Sequence, residues 1–598
     1  MLRQINVDPV DTDPGIFRVI SDTRDSEPTL ESSEINSEML SGPDVPESAT
    51  ETRRSSRSTF SIPPERYGFD AFSAEEFCVD DPKSWEDAMN SQLKNKWKDA
   101  TDKEYNSLMR HNAWTLCELP AGRNVVSNRW VFRTKTDESG EACRFKARLV
   151  AKGFSQKYGT DYLETFAPVV RHDSIRCLIS IAVNRGMLLH QFDVETAFLN
   201  GKLDETIFMK QPEGYIVEGK ENLVCKLSCS LYGLKQSPRC WNFVLKDQLL
   251  DMGLNCSEND PCVYEGIIDS ERVMLAVYVD DMILAATSEN VIKHAHKLFL
   301  DRFDVKYIGP LRYFLGVRIV HHPNSILLVQ DRYAENVVKK FRMDDSFPVS
   351  TPMEAGSVLV KRTEGDKEFD PFIYQSAIGC LLYLSNFTRP DLCFAVHKLA
   401  QFSKDPSEVH WKAVKRVLSY LKGTLKLGIK FEKECIGNII VVFCDADFAG
   451  DLQDRKSTSG HVLFNGKCPI SWLCQKQSIT ALSTAEAEYV SLCEAAKKIV
   501  WTRRLFTDLN CPQTEPTIVY EDNKAAIAIS LASPGENPKV KHIALRYHYT
   551  RDCIENRVIK LEYCSSQEMT ADIFTKPLPK DTFLRLRNSL GLCTINEI

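Results

Sequence analysis

Two adjacent carboxylates, Asp280 and Asp281, sit between apolar runs in Met274-Leu-Ala-Val-Tyr278-Val-Asp-Asp281-Met-Ile-Leu284. The pattern reads as strand, tight turn, strand, with the acids at the turn. Two acids on an apolar hairpin are costly unless a cation neutralises them. Hard oxygen donors suit Mg²⁺ or Mn²⁺. An Asp-Asp turn by itself is a common surface feature, so the reading depends on partners elsewhere in the chain.

Gln191-Phe-Asp193-Val-Glu-Thr-Ala-Phe198-Leu-Asn-Gly201 supplies a third carboxylate, Asp193, at the end of an apolar stretch. Two-metal phosphoryl transfer needs carboxylates from separate segments that hold ions roughly 3.5–4 Å apart. A strand-end Asp beside a hairpin Asp-Asp is the layout of a polymerase palm. A second set of acids follows residue 435. Asp445 and Asp447 close the strand-like run Ile439-Ile-Val-Val-Phe-Cys, and Glu486 and Glu488 open a helix after Ser483. Asp522 ends the strand-like run Ile518-Val-Tyr-Glu, and Asp572 stands in Thr570-Ala-Asp-Ile-Phe-Thr-Lys576-Pro. Four carboxylates from strand, helix, strand and helix suit a two-metal RNA-cleaving site. Asp445 and Asp447 are two apart on a strand and face the same side, so either could serve. Glu486 and Glu488 are two apart on a helix, so only one of them can face the site.

Collinear motifs join these acids. They are Lys146-Ala-Arg148-Leu-Val-Ala-Lys152-Gly153, Asp193 to Gly201, Lys210-Gln-Pro-Glu-Gly214, Ser230-Leu-Tyr-Gly233-Leu-Lys-Gln-Ser-Pro-Arg239, Tyr278 to Asp281 and Tyr313-Phe-Leu-Gly316. In this order they resemble the reverse transcriptase of copia-type LTR retrotransposons, and the likeness runs from about residue 52 to 590. The resemblance implies a right-hand polymerase of fingers, palm and thumb, then a connection region and an RNase H-like mixed-sheet domain, α/β overall. It implies an RNA-directed DNA polymerase whose RNase H cleaves RNA in RNA–DNA hybrids. Its partners would be RNA template, DNA primer, the hybrid and dNTPs, with Mg²⁺ or Mn²⁺ as cofactor. Self-association stays open.

The same resemblance implies residue roles. Asp193, Asp280 and Asp281 resemble the polymerase metal triad. Asp445, Glu488, Asp522 and Asp572 resemble the nuclease acids, with Asp445 chosen for its place after the apolar run and Glu488 for its Ala-Glu-Tyr context. Phe198 resembles the ring that excludes a ribose 2′-hydroxyl. Lys146, Arg148 and Lys152 resemble fingers residues at the incoming triphosphate, although on a strand they could equally form a solvated stripe. Gly233 would let backbone approach the template or base pair, and Tyr278 would line the substrate site. Tyr313 to Gly316 resembles a primer grip, and Lys306 would act near the leaving pyrophosphate. His542 and His548 fall in a matching segment, but Ala544 departs from the acid expected there. Lys412, Lys415, Arg416 and Lys422 are candidates for phosphate contacts. No protease signature, zinc knuckle or integrase knuckle is found, so the chain reads as the C-terminal part of a polyprotein. The rival reading is a truncated or domesticated, non-catalytic nucleic-acid-binding relic.

The elements that must position these groups follow from pattern. Ser84 caps a helix expected to run to about Met109. Strands are expected over 125–133 and 146–152, and a helix over 171–184, where Ile175, Leu178, Ile179 and Ala182 keep a 3–4 spacing. Further helices are expected over 238–252 and 289–302, and 370–425 reads as mostly helical. The domain scheme is an acidic disordered linker at 1–65, fingers and palm at 66–330, thumb and connection at 331–434, the RNase H-like domain at 435–590, and a tail at 591–598.

The 598 residues carry a formal charge of −7, and residues 1–60 hold twelve acids against six Arg and no Lys, so the remainder is nearly neutral. Bulk charge therefore gives no support to nucleic-acid binding, and any basic surface must be local. The 20 cysteines are scattered and read as reduced, buried thiols rather than a zinc site. No apolar run reaches the length of a membrane span, and the first residues lack a signal-peptide core, so an intracellular life in cytoplasm or nucleus is expected.

Overall fold

The computed structural model describes residues 81–136, 142–433, 437–532 and 544–597. The acidic linker expected at 1–65 and His542 lie outside the described residues. Ser84 does cap a helix, accepting from the Asp87 amide at 3.0 Å. That helix ends at Asn90, and a second one, Lys94–Arg110, carries the chain onward. The hairpin Asn128–Thr136/Ala142–Ala151 packs on this second helix, with Trp97 edge-on to Phe132 and Phe145. A small sheet lies in the same region, in the order Trp114–Cys117, Val224–Leu227, Phe208–Met209, Val125–Val126.

The centre is a six-stranded sheet in the order Val305–Pro310, Leu188–Val194, Asp281–Ala286, Glu271–Tyr278, Val263–Ile268, Leu254–Cys256. Strand side chains alternate between faces, and here both faces are covered, which explains the unbroken apolar run before the acids. Met274 and Ala276 pack with Ile175, Leu178 and Ile179 of helix His172–Arg185. Val273, Leu275 and Val277 pack instead with Trp241 and Leu245 of helix Ser237–Asp251 and with Ala295 and Phe299 of helix Glu289–Leu300.

Next comes an antiparallel sheet in the order Tyr313–Phe314, Val317–His322, Ser325–Val329, Leu427–Glu432, Leu592–Thr594. Its last strand corrects the expected tail at 591–598: Leu592 pairs with Ile429 and is buried. The apolar Leu592 and the turn at Gly591 were the available signal. Helices Pro371–Phe387, Cys393–Ala400 and Glu408–Gly423 account for the helical stretch expected between 370 and 425. They are locked by Arg389, which makes two bonds to Asp391 at 2.9 and 2.8 Å and also reaches Thr424, while Tyr420 donates to Asp391 at 2.7 Å. Arg416 and Lys422 bond their own chain at Thr351 and the Ser346 carbonyl.

The C-terminal region is a mixed sheet in the order Cys468–Lys476, Thr458–Asn465, Ile440–Asp447, Thr517–Glu521, Ile559–Tyr563, the last two joining in parallel. The long helix Thr484–Asp508 lies across it. Its seam with the central helix His172–Arg185 is polar and buried. Arg176 is 1% exposed, lies 4.0 Å from the Trp472 ring, and donates to the carbonyls of Ile470, Asn386 and Phe387. Asp173 pairs with Arg176 and, at 2.5 Å, with Lys498, and accepts from the Ser471 hydroxyl at 3.0 Å. Burial works against the Asp173 charge, but Lys498 and Arg176 outweigh it and hold its carboxyl well below the usual range. None of the described helices is long and apolar enough to cross a membrane, and the described cysteines are free thiols.

Candidate active sites

Backbone register brings two of the three hairpin-site carboxylates together. Asp281 is the direct cross-strand partner of Asp193, and the Val194 amide donates to the Asp280 carbonyl at 2.9 Å. Directly opposed residues on antiparallel strands project to the same face. The turn itself is strained: Val279 has φ 58°, a genuine outlier for a β-branched residue. Such strain persists only where the surroundings over-determine it. Here Trp241 does so, donating its indole N–H to the Val279 carbonyl at 2.6 Å from the buried face of helix Ser237–Asp251. Gln191 donates to Asp281 Oδ1 at 3.2 Å. Lys306 is the register partner of Asp193 on its other side and is exposed.

The hairpin Asn128–Thr136/Ala142–Ala151 contributes cations. Lys146 and Arg148 are two apart on strand Ala142–Ala151 and share a face, and the Arg148 guanidinium lies 4.2 Å over the Tyr232 ring. Burial pushes the Asp280 carboxyl above its ordinary range; Arg148 and Lys146 pull it back, and Asp193 adds to the push. Burial, then Asp280 and Asp281, drive the Tyr278 hydroxyl up to about 12. Lys152 departs from the expected stripe, because the strand ends at Ala151 and Lys152 leads into the short turn Gly153–Ser155. Phe198 is buried and edge-on to Tyr232 at 4.6 Å. Gly233 has φ 91°, and a Cβ there would run into the Ala151 carbonyl and the Val150 side chain. The backbone that approaches Gly233 is thus the chain's own.

Two neighbours of this site escaped sequence reasoning. Glu104, from helix Lys94–Arg110, accepts weakly from the Leu149 amide at 3.4 Å; burial raises its pKa against the pull of Arg148 and Lys146. Tyr383 donates to the Leu315 carbonyl, at a turn where Leu315 has φ 47° and Gly316 φ 68°. Nothing in the sequence near either residue signals these long-range contacts.

The C-terminal acids converge more tightly. Oxygens of Asp445, Glu488 and Asp522 all lie within 4.8 Å of one another, and among the described residues no other set of three meets that test, the hairpin-site acids included. Asp445 lies two residues before the end of the buried strand Ile440–Asp447, Glu488 lies in the second turn of helix Thr484–Asp508, and Asp522 follows strand Thr517–Glu521. Asp447 accepts from the Thr458 amide, whereas Glu486 accepts from the Leu482 amide at 2.9 Å. Asp445, Asp447 and Glu488 all line a cleft of about 630 Å³, together with Asp522, Ser566 and Lys576.

Asp572 is placed by a glycine. Gly460 pairs with Asp445, and a Cβ at Gly460 would meet Phe574 and Thr575 at 2.7 Å, so only glycine lets the segment Thr570–Phe574 settle on the sheet. Asp572 then pairs with Lys576 at 2.8 Å rather than joining the three converging acids. Burial and the neighbouring Asp445, Glu521 and Asp522 push the Glu488 carboxyl up to about 11. Burial and Asp445 push Asp572 up to about 7 against the pull of Lys576. Glu488 Oε2 is buried and lacks a hydrogen-bond partner. Crowded carboxylates of this kind either take up protons or bind a cation. Three hard oxygen donors and an unpartnered buried one fit a divalent ion such as Mg²⁺.

Residues 111–355 match the family described as reverse transcriptase (RNA-dependent DNA polymerase). The chain is 36% identical over 523 residues to the retrovirus-related Pol polyprotein from transposon TNT 1-94 of Nicotiana tabacum, a match spanning 86% of this chain and 39% of that protein. It is 31% identical over 317 residues to a putative transposon Ty5-1 protein of Saccharomyces cerevisiae, covering 51% of this chain and 100% of that protein. The chain belongs to the Ty/copia-type retrovirus-related Pol family. It spans well under half the length of the Pol polyprotein from Nicotiana tabacum. Among solved structures, a foamy viral protease-reverse transcriptase in complex with RNA/DNA hybrid is 14% identical with TM-score 0.43, over 79% of this chain and 54% of that one. Within this Pol chain the hairpin acids lie inside the matched reverse transcriptase region, and Asp445, Glu488, Asp522 and Asp572 lie beyond it.

Proposed function

We propose that this Pol chain is an RNA-directed DNA polymerase with a second, RNase H centre. It extends a DNA primer on an RNA template from dNTPs and cleaves the RNA strand of the resulting hybrid. The observation that carries the reading is the cross-strand pair Asp193–Asp281 at the mouth of a strained hairpin, with Arg148 and Lys146 close enough to shift Asp280. Within the chain, residues 66–330 act as fingers and palm, 331–434 as thumb and connection, and 435–590 as the nuclease.

Asp193, Asp280 and Asp281 would hold Mg²⁺ or Mn²⁺ in the palm, and Asp445, Glu488 and Asp522, with Asp572, would hold it in the nuclease. When bound, such ions supply charge neutralisation at the attacking and leaving oxygens of an in-line displacement. The protein groups do the rest. Arg148 and Lys146 attract and orient the triphosphate, with Lys152 at the strand exit, because preorganised cations there stabilise charge that builds in the transition state. Lys306, beside Asp193, faces the same region. Phe198, fixed against Tyr232, walls the sugar, and Tyr278 with Gly233 borders the nucleotide and template. The seven carboxylates of the two constellations are all present, so the non-catalytic alternative has no substitution in its favour.

The test is primer extension on poly(rA)·oligo(dT) with Mg²⁺, comparing the chain with an Asp280→Asn/Asp281→Asn double variant. Synthesis by the parent and none by the variant supports the reading. No synthesis by a folded parent, or equal synthesis by both, overturns it.

A further inference from the structure

We infer that the Lys576 ammonium holds the place of a second cation in the nuclease cleft, so that the resting chain loads one divalent ion there and admits another only when Lys576 moves away. The inference rests on the nuclease reading above. Its basis is the uneven grouping of the four acids. Asp445, Glu488 and Asp522 converge within 4.8 Å and leave Glu488 Oε2 buried without a partner, which is a place for one ion. Asp572 reaches Asp445 but does not converge with all three. Lys576 contacts both of these acids, with Nζ 2.8 Å from Asp572 Oδ1 and 3.7 Å from Asp445 Oδ2. One ammonium thus contacts two carboxylates from different segments.

The local chain favours this arrangement. Asp572 and Lys576 are four apart, a spacing that brings side chains together on a helical turn. Thr575 donates its hydroxyl to Asp445, which pins the turn to the strand. The other cation of the cleft lining, Lys524, lies over the Tyr563 ring instead, 4.7 Å from its centroid.

Lys576 is also free to leave. Its side chain is 41% exposed and lines the cleft, so a phosphate entering the cleft can compete for the ammonium. A flexible point charge is suited to such an exchange, and the freed Asp445 and Asp572 oxygens are then available to a cation. Substrate, rather than metal concentration alone, would control the second loading step.

The experiment counts Mn²⁺ bound to the full chain, by electron paramagnetic resonance of the free ion, in an Asp280→Asn/Asp281→Asn background that removes the palm hairpin acids. Lys576→Gln should bind one more ion per chain than its Lys576 parent, and Lys576→Arg should match the parent. A second count adds a hybrid whose RNA strand is 2′-O-methylated and cannot be cut. It should raise the parent by one ion, which keeps the test informative where the Gln variant folds poorly. Equal counts for parent and Lys576→Gln, or no rise with the hybrid, would overturn the inference. Cleavage of ordinary hybrid by the parent is measured in parallel. Its absence alongside the shifted counts would remove the nuclease reading while leaving the cation exchange in place.

Discussion

The Asp-Asp hairpin, proposed as the palm, and the C-terminal cleft, proposed as the nuclease, both gather carboxylates, but by different means. In the palm, backbone pairing sets Asp193 opposite Asp281, and a strained turn aims Asp280. In the nuclease, acids from a strand, a helix and a loop meet through packing, and a glycine lets the segment of Asp572 approach. The first arrangement spreads its charge and sets cations across from it on the fingers. The second crowds its charge until Glu488 is pushed up to about 11. A site built on register is robust to side-chain repacking, whereas a site built on convergence depends on every contact that closes it.

The sharpest way to break this comparison is to silence one centre at a time. Asp281→Asn should lower primer extension by about 10³-fold, the scale of losing several kcal/mol of metal-assisted stabilisation, with hybrid cleavage unchanged. Asp445→Asn should do the reverse. Loss of both activities in either variant would mean that the centres are not separable.

The next effect falls on the seam between them. Arg176→Ala leaves the buried Asp173 without its nearest partner and should cost about 3–5 kcal/mol in urea unfolding, with both activities falling together at moderate denaturant. A variant that loses one activity and keeps the other would show that the seam does not couple them.

A smaller effect is expected from pH. Burial, reinforced by neighbouring cations, holds His172 down to about 4 and His461 down to about 3. Below about pH 6.5 the unfolded chain therefore binds more protons at these positions than the folded one. Their stability contribution is present above that pH and is lost as pH falls through the interval down to about 4 and about 3. Asp173, depressed by Lys498 and Arg176, acts in the same direction at lower pH. Melting temperature should drop on acidification, and His461→Gln should make that drop shallower. A melting temperature that rises on acidification would contradict the assignment.

The smallest effect concerns the turn at Leu315–Gly316. Tyr383→Phe removes one hydrogen bond, a net loss of about 0.5–1.5 kcal/mol. It should raise the KM for primer a few-fold with little change in the KM for dNTP and none in hybrid cleavage.

These two regions also differ in how far they could be read from sequence. The Asp-Asp hairpin was legible because its signal is local: apolar runs, a two-residue turn and a strand-end Asp. The helices at 172–185 and 237–251 were legible for the same reason. The choice of Glu488 over Glu486 was readable only as a resemblance, since the contact that removes Glu486 is to Leu482 across the helix start. The shared strand face was not legible at Lys152, because the strand ends one residue earlier, at Ala151. At Gly233 the sequence signals close approach, and the structure adds that Ala151 and Val150 of the chain itself lie against it. The strand at Leu592–Thr594 was taken for a tail, as three residues carry too little periodicity to declare themselves. Trp241, Glu104 and Tyr383 act across long sequence separations, where pattern has no purchase. Lys576 was the exception, since its four-residue spacing from Asp572 was visible and was passed over.

The buried Arg176 has a consequence for what the molecule can measure. From the central helix it donates to Ile470 of the C-terminal sheet and to Asn386 and Phe387 of helix Pro371–Phe387, and so would hold the proposed copying and cutting centres in one frame. A duplex threaded from one to the other would be cut at a constant lag behind synthesis. The length of the RNA fragments released during extension would then act as a calliper, reporting in nucleotides a dimension of the protein itself.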